Sequence, residues 1–348
     1  MTDSLKGQSL KGQSPEGQSP EGQSLKGQSL KGQIALVTGA TRGIGKGIAI
    51  ALTQAGATVY ISGRSLNANS ITDPIAGDLT QTQSAVEAAS GTLIPCQVDH
   101  SKDDEVEQLF ERIKQEQNGQ LDLLVNNVYG GVRALRNAQN KPFWEADPKL
   151  WDACNNVGLR SHYIASRLAA QMMVPRKQGL IITISSWGGL SPIFGVAYGT
   201  GKSACDRLAA EMAAELKPHN VASFSLWPGI VGTEHISEIA KDSSDSAPMD
   251  FATTRFNWET PLFTGKVIAA LATDPNIMQR SGKLQIVAEI AAHYGLTDKE
   301  GNRPASLRSL KFLLPVAVPA LQNKTTLIPD IRIPWWILLI TALAAPKK

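Results

Sequence analysis

Ile34-Ala35-Leu36-Val37-Thr38-Gly39-Ala40-Thr41-Arg42-Gly43-Ile44-Gly45 is the stretch on which the reading of this chain turns. Ile34–Thr38 is a short apolar run without polar alternation, as expected for a parallel strand buried on both faces. Gly39 permits a tight turn. Gly43 lets the backbone approach a ligand closely, and Gly45 lets the next helix pack against the strand. That helix is expected over 44–55, stopping at Gly56. Its first turn offers unbonded N–H groups and a partial positive charge, which suits a phosphate. A glycine triplet alone says little, but between a strand and a helix it points to a dinucleotide. A glycine-rich turn with no ligand is the plain alternative.

Outward from this stretch, strand-like and helix-like runs alternate. Strands are expected at 58–62, 93–98, 121–125, 180–184 and 222–226. Helices are expected at 79–89, 103–117, 149–173 and 197–216, with a loop over 64–77. In 103–117, Val106, Leu109, Phe110 and Ile113 share one side. Regular alternation implies right-handed crossovers, hence a single α/β domain: a Rossmann-type doubly wound parallel sheet with helices on both faces. The domain is expected over 34–295, with a C-terminal extension over 296–348.

Residues 4–33 repeat a pentapeptide: Ser-Leu-Lys-Gly-Gln twice, Ser-Pro-Glu-Gly-Gln twice, then Ser-Leu-Lys-Gly-Gln twice. No apolar face forms at that spacing, so residues 1–33 are expected to be disordered. The last copy runs straight into the first strand, so the repeat reads as a duplicated domain start. Hydrophobic residues make up 42% of the 348 and charged residues 19%, values that suit a globular chain with a large core. The net charge of +3 is small and the basic residues are scattered, which leaves no footprint for nucleic acid. Cys96, Cys154 and Cys205 have no metal-ligand spacing and read as reduced buried thiols of a cytoplasmic protein. No metal site is expected. The polar N-terminus does not read as a secretory signal.

The end of the second strand decides which dinucleotide fits. A carboxylate there would hold the ribose 2′-OH of NAD. This chain has Ser62-Gly63-Arg64, and Arg64 with Arg42 would suit a 2′-phosphate, so NADP(H) is the expected cofactor. Asp99, at the third strand's end, suits either adenine or a helix cap. Further on, Tyr198 and Lys202 lie four apart at a helix start and so share a face. A free phenol is a poor acid at neutral pH, and a neighbouring ammonium favours its ionised form. A serine hydroxyl from Ser185-Ser186 would support charge developing on a substrate oxygen. Tyr and Lys on a helix otherwise suit mere packing.

These motifs, Thr38-Gly39-x-x-x-Gly43-x-Gly45, Asn126-Asn127, Ser186, Tyr198-x-x-x-Lys202 and Pro228-Gly229, resemble those of the short-chain dehydrogenase/reductase family over about residues 30–295. Longer stretches, such as 151–160, 226–231 and 272–277, resemble one branch of it more specifically. The resemblance implies Tyr198 as general acid, with Lys202 beside it and on the nicotinamide ribose. It implies Ser186 rather than Ser185 as the third member, although the spacing to Tyr198 is then one short. Ile44 belongs to the phosphate turn. Asn126 would lie along the adenosine side, and Ile230, Val231 and Thr233 would hold the carboxamide end. One position departs: Gly158 stands where the family usually has an asparagine that supports a proton relay, leaving Asn155, Asn156 or water to substitute.

The resemblance places a substrate lid at about 234–263, where Ile236, Ile239, Met249, Phe251, Phe256, Trp258 and Phe263 are interspersed with polar residues. With Trp187, Ile193 and Phe194 they suit a hydrophobic ketone or aldehyde, steroid-like or xenobiotic. An oxoacyl-thioester reductase is a second reading, without a basic patch for a carrier protein. A non-catalytic NADP-binding sensor is a third, and would need only the glycine turn. Homo-oligomerisation is implied through helices around 150–173 and 198–216. In the extension, 312–315 and 333–340 are apolar; 335–345 is too short to span a bilayer, which needs about 20 residues. Peripheral membrane contact and packing onto the domain are both open.

Overall fold

The computed structural model describes residues 29–344 apart from 73–74, 76, 87–90, 139–140 and 237–257. Its strands are β1 (Ile34–Thr38), β2 (Thr58–Gly63), β3 (Thr92–Gln97), β4 (Leu123–Asn126), β5 (Gly179–Ile184), β6 (Val221–Trp227), β7 (Ile230–Val231), β8 (Trp258–Glu259) and β9 (Gln285–Ile286). The helices are α1 (Gly43–Gln54), α2 (Leu79–Ser84), α3 (Asp103–Glu116), α4 (Val132–Asn137), α5 (Lys149–Asn155), α6 (Ser161–Arg176) and α7 (Val196–Leu216), then α8 (Pro261–Ala272), α9 (Val287–Tyr294), α10 (Leu310–Ala317) and α11 (Trp335–Ala344).

Seven strands form one sheet in the order β3-β2-β1-β4-β5-β6-β9, with every pairing parallel. All five residues of β1 are buried, because successive side chains enter opposite layers. Ala35 and Val37 join Ile48, Leu52, Phe263 and Val267 under α1 and α8. Ile34 and Leu36 join Val106, Phe110, Ile113, Ala169 and Met173 under α3 and α6. The chain reverses its direction of travel across the sheet between β1 and β4. Ligands of such sheets bind at the carboxyl ends beside that reversal. Register aligns Thr38 with Ser62, and Val37 with Val125, so the segments after β1, β2 and β4 converge there.

The expected strands and most helices lie where the patterns put them, within a residue or two. Four differences stand out. The helix expected over 149–173 is two helices, α5 and α6, joined by a wide turn at Asn156–Arg160, where Val157 and Gly158 leave helical geometry. Helix α2 ends at Ser84 rather than at 89. The seventh strand, β9, has only two residues and no pattern long enough to read. The folded domain also starts earlier than residue 34. Leu30 is only 1% exposed, and its N–H donates to the Ala55 carbonyl at the end of α1 (2.8 Å). The last pentapeptide copy is therefore part of the folded domain, with Leu30 in its core, and residues 1–28 lie outside the described residues. Leu30→Ala should cost about 3 kcal/mol in denaturant unfolding. A loss below about 1 kcal/mol would show that the site collapses around the gap or was never well packed.

The extension packs on the domain. Arg308 clasps Glu289 of α9 with Nε and Nη2 (2.8 and 2.9 Å) and donates to the Ile333 carbonyl (2.8 Å). Its guanidinium also lies over the Trp335 ring, whose edge meets Trp227 at 5.9 Å. Leu307 and Phe312 are buried with Trp227, Ile286 and Ala288. On α11, Leu338 faces inward, while Trp336, Leu339 and Ile340 are exposed. No helix among the described residues is long and apolar enough to cross a membrane.

Candidate active site

The turn after β1 is shaped by close approaches. Gly39 and Gly43 have φ of +71° and +56°, and a Cβ on Gly45 would lie 2.2 Å from the Gly39 carbonyl oxygen. Larger residues at Gly45 would push α1 off the strand. Asn127 braces the turn, its amide donating to the carbonyls of Thr38 and Gly39, both at 2.9 Å. Thr38 Oγ1 accepts from the N–H groups of Asn127 and Val128. At the start of α1, the Gly43 N–H donates to a carboxylate oxygen of Glu234 at 2.9 Å, and the Thr233 methyl lies against the same glycine. An anionic oxygen already sits on a cradle N–H, so this donor set fits a phosphate oxygen. Ile44 is partly buried and packs on the core behind the turn.

The second-strand end lies beside this cradle, since a Cβ on Gly63 would meet the Thr41 methyl at 2.7 Å. Arg64 follows on the exposed side, and Arg42 Nη2 donates to the Gly77 carbonyl at 3.2 Å. Asp99 is not the cap of α3; it accepts from the N–H and hydroxyl of Ser101 (3.0 and 2.8 Å). Burial raises its proton affinity, but those bonds and the charges of Arg64 and Lys102 outweigh burial and hold the carboxyl below its usual range. Asn126 departs from expectation. It is fully buried on β4 and gives its amide to Ser166 of α6 (2.8 Å), so it fixes α6 to the sheet rather than facing the groove. The residue after it, Asn127, reaches the cradle.

Strand β5 delivers two serines in opposite directions. Ser185 is buried and donates to the Lys202 carbonyl at 3.0 Å, inside the domain. Ser186 turns outward, its Oγ accepting from the Gly188 N–H at 3.1 Å. Gly188 lies between that hydroxyl and the Tyr198 ring: a Cβ there would be 3.5 Å from Ser186 Oγ and 2.6 Å from Tyr198 Cε1. Tyr198 occupies the first turn of α7 and Lys202 the next, on the same face. Lys202 is buried, donates to the Ile184 carbonyl at 3.1 Å, and lies 6.0 Å from the Tyr198 ring centroid. The Tyr198 ring is held edge-on between Phe194 (5.3 Å) and Tyr129 (5.8 Å). Ser186, Tyr198 and Lys202 are thus together; Ser185 is not with them.

Across the groove, β7 pairs with β8, placing Val231 opposite Glu259. The Val231 side chain is buried and the partly buried Ile230 packs beside Trp227; Thr233 reaches the cradle. Glu259 is 2% exposed, and burial pushes its carboxyl up to about 8. Of the expected lid, Ile239, Met249, Phe251 and Phe256 lie outside the described residues. Phe263 belongs to the core beneath α8, and Trp258 lies on Gly232. At the departure from the family, Asn155 gives its amide to the carbonyls of Trp151 and Ala197 (3.0 and 3.3 Å).

Asn127, Tyr129, Glu234 and Glu259 went unread as site residues. Asn127 and Glu234 adjoin residues that the motifs marked; Tyr129 and Glu259 had no signal of their own. Cys96, Cys154 and Cys205 are buried and free.

A family model described as short chain dehydrogenase matches residues 33–244. Dehydrogenase/reductase SDR family member 1 of Mus musculus is 44% identical over 316 residues, covering 88% of this chain and 96% of the mouse protein. The Homo sapiens protein of that name is 44% identical over 312 residues with the same coverages. A solved chain described as an NAD(P)-dependent gluconate 5-dehydrogenase from Beutenbergia cavernae, with NADP at low occupancy, shares the fold: TM-score 0.62, 24% identity, 74% of this chain and 96% of that one. By the extent of the family match and by its likeness to these relatives along most of its length, this chain belongs to the short-chain dehydrogenase/reductase family.

Proposed function

We propose that the chain is an NADPH-dependent reductase that converts a hydrophobic ketone or aldehyde to its alcohol. The observation that carries this reading is the grouping of Ser186, Tyr198 and Lys202 beside a phosphate-type cradle. A bound reduced nicotinamide supplies the hydride. The cradle of Gly39, Gly43, Ile44 and Gly45 would hold its pyrophosphate, with Thr233 from the facing side, and Lys202 its ribose. Ser186 would donate to the substrate oxygen, and Tyr198 would give that oxygen a proton as the carbonyl carbon is reduced. Phe194, 40% exposed, and the partly exposed Trp187 and Ile193 support an apolar carbonyl substrate of steroid-like or xenobiotic type. Trp151 and Tyr163, exposed on α5 and α6, support self-association through that face. The exposed Trp336, Leu339 and Ile340 support peripheral membrane contact of the tail.

The test is oxidation of NADPH and of NADH over a panel of ketones and aldehydes. Turnover with NADPH ahead of NADH is expected; tight NADPH binding with no turnover across the panel would favour a sensor. The choice of cofactor is assigned to Arg42 and Arg64. Alanine at both should raise the NADPH dissociation constant roughly tenfold to hundredfold while moving that of NADH by less than about threefold. Equal losses for both cofactors in a fluorescence titration would mean that the arginines support the turn rather than read a 2′-phosphate.

A further inference from the structure

Gly158 has φ of +146° in the wide turn between α5 and α6, at the position where the family resemblance calls for an asparagine. The space above it is taken. A Cβ on Gly158 would fall 2.7 Å from Tyr129 Cδ2 and 3.2 Å from Cε2, so a side chain at 158 and the ring of Tyr129 exclude one another. A backbone bond ties the two segments together, the Gly130 N–H donating to the Val157 carbonyl at 2.9 Å, and the Cys205 thiol of α7 donates to the Gly158 carbonyl at 3.1 Å. From this seat the Tyr129 ring turns a face to Lys202 Nζ at 5.1 Å and an edge relation of 87° to Tyr198.

We propose that Tyr129 is a positioning residue of the reaction, its ring replacing the missing asparagine by holding the Lys202 ammonium beside Tyr198. The inference rests on the reductase reading above. Lys202 has the Ile184 carbonyl as its hydrogen-bond acceptor among the described residues, and two aromatic rings lie beside it. An ammonium within about 6 Å of a ring centroid is attracted to the ring face, more strongly when removed from water. The hydroxyl is not the acting group. It points between Gly131 and Cys154, and burial first, then Cys154, Tyr198 and Cys205, drive the phenol far above its ordinary range, so it stays neutral. The other titratable groups around Lys202 are His162 of α6, Cys154 of α5, and Cys205 and Asp206 of α7. His162 is pushed down to about 3 by burial and by Lys202, and Cys205 up to about 11 by burial. Burial also raises the Cys154 thiol. Asp206, raised to about 6 by burial, is held by the Trp227 indole N–H at 3.0 Å.

The test compares wild type, Tyr129→Phe, Tyr129→Leu and the exchange Tyr129→Gly with Gly158→Asn. In Tyr129→Leu, kcat should fall roughly tenfold or more while KM and NADPH binding change little. Its pH–rate profile for alcohol oxidation should move to the alkaline side, because a phenol that loses its ammonium neighbour releases its proton less readily. Tyr129→Phe should recover most of the lost kcat, and the exchange should recover part of it. A Tyr129→Leu enzyme with wild-type kcat and profile would overturn the proposal, as would Tyr129→Phe falling as far as Tyr129→Leu. Ultraviolet difference titration, with Tyr198→Phe marking which of the five tyrosines is Tyr198, reads the same effect without turnover. An alkaline shift of the Tyr198 step in Tyr129→Leu supports the proposal even where no carbonyl is turned over and the reductase reading itself fails; no shift overturns it.

Discussion

Tyr198→Phe should lower kcat for carbonyl reduction by about three orders of magnitude, within the span of a positioned general acid. One oxygen is removed and little else. The ring keeps its edge contacts with Phe194 at 5.3 Å and Tyr129 at 5.8 Å, and among the described residues its hydroxyl makes no hydrogen bond. Melting temperature and NADPH affinity should therefore stay near wild type. That separation gives the variant its diagnostic use: activity lost with binding retained isolates proton transfer from cofactor capture. Lys202 cannot be tested as cleanly. Its ammonium is buried, donates to the Ile184 carbonyl and would also meet the ribose, so its removal would blend binding, positioning and folding. Steady-state kinetics on purified Tyr198→Phe, beside a fluorescence titration with NADPH, decides the matter. A kcat within about tenfold of wild type would take the acid role from Tyr198 and leave Ser186 or solvent to supply the proton.

What could be read from the sequence follows from how local each cause is. The buried strand Ile34–Thr38 with its glycine turn, and Tyr198 one helical turn from Lys202, carry their geometry within a few residues. The alternation of strand and helix periods likewise pointed to a doubly wound parallel sheet. What escaped depends on contacts between distant segments. Asn126 and Asn127 are neighbours, yet strand alternation buries one and sends the other to the cradle. Ser185 and Ser186 divide in the same way. Leu30 lies in a repeat unit that recurs identically at Leu5, Leu10 and Leu25, and only its contact with the end of α1 marks it as core. The break at Gly158 was hidden because the flanking pattern is helical and the reason for the break, the Tyr129 ring, comes from another loop.

A second large effect is expected far from the reacting groups, at Gly47→Ala. Helices α1 and α8 cross with backbone against backbone: a Cβ on Gly47 would fall 2.1 Å from the Pro261 carbonyl carbon and 2.6 Å from the Leu262 nitrogen. The fit is reciprocal, since a Cβ on Gly265 would lie 2.3 Å from the Gly47 carbonyl oxygen. A side chain in the way could rotate aside; a main chain cannot. Helix α8 would have to move away, loosening Ile48, Leu52, Phe263, Val267 and Ile268, all at most 1% exposed. Overpacking usually costs about 1–3 kcal/mol, and a displaced helix places this case above that range, at about 4 kcal/mol. For a domain of this size the melting temperature should fall by roughly 10 °C. Activity should suffer beyond the lost stability, because the shift propagates to both ends of the cofactor groove. Pro261 follows Glu259 by two residues, and β8 with its partner β7 leads to Thr233 at the cradle. The folded fraction of Gly47→Ala should therefore bind NADPH more weakly as well. Thermal unfolding with and without NADPH measures both quantities. A melting temperature within about 2 °C of wild type would mean that the helices can separate at little cost. An unchanged NADPH-induced stabilisation would mean that the α1–α8 crossing supports the fold without setting the groove.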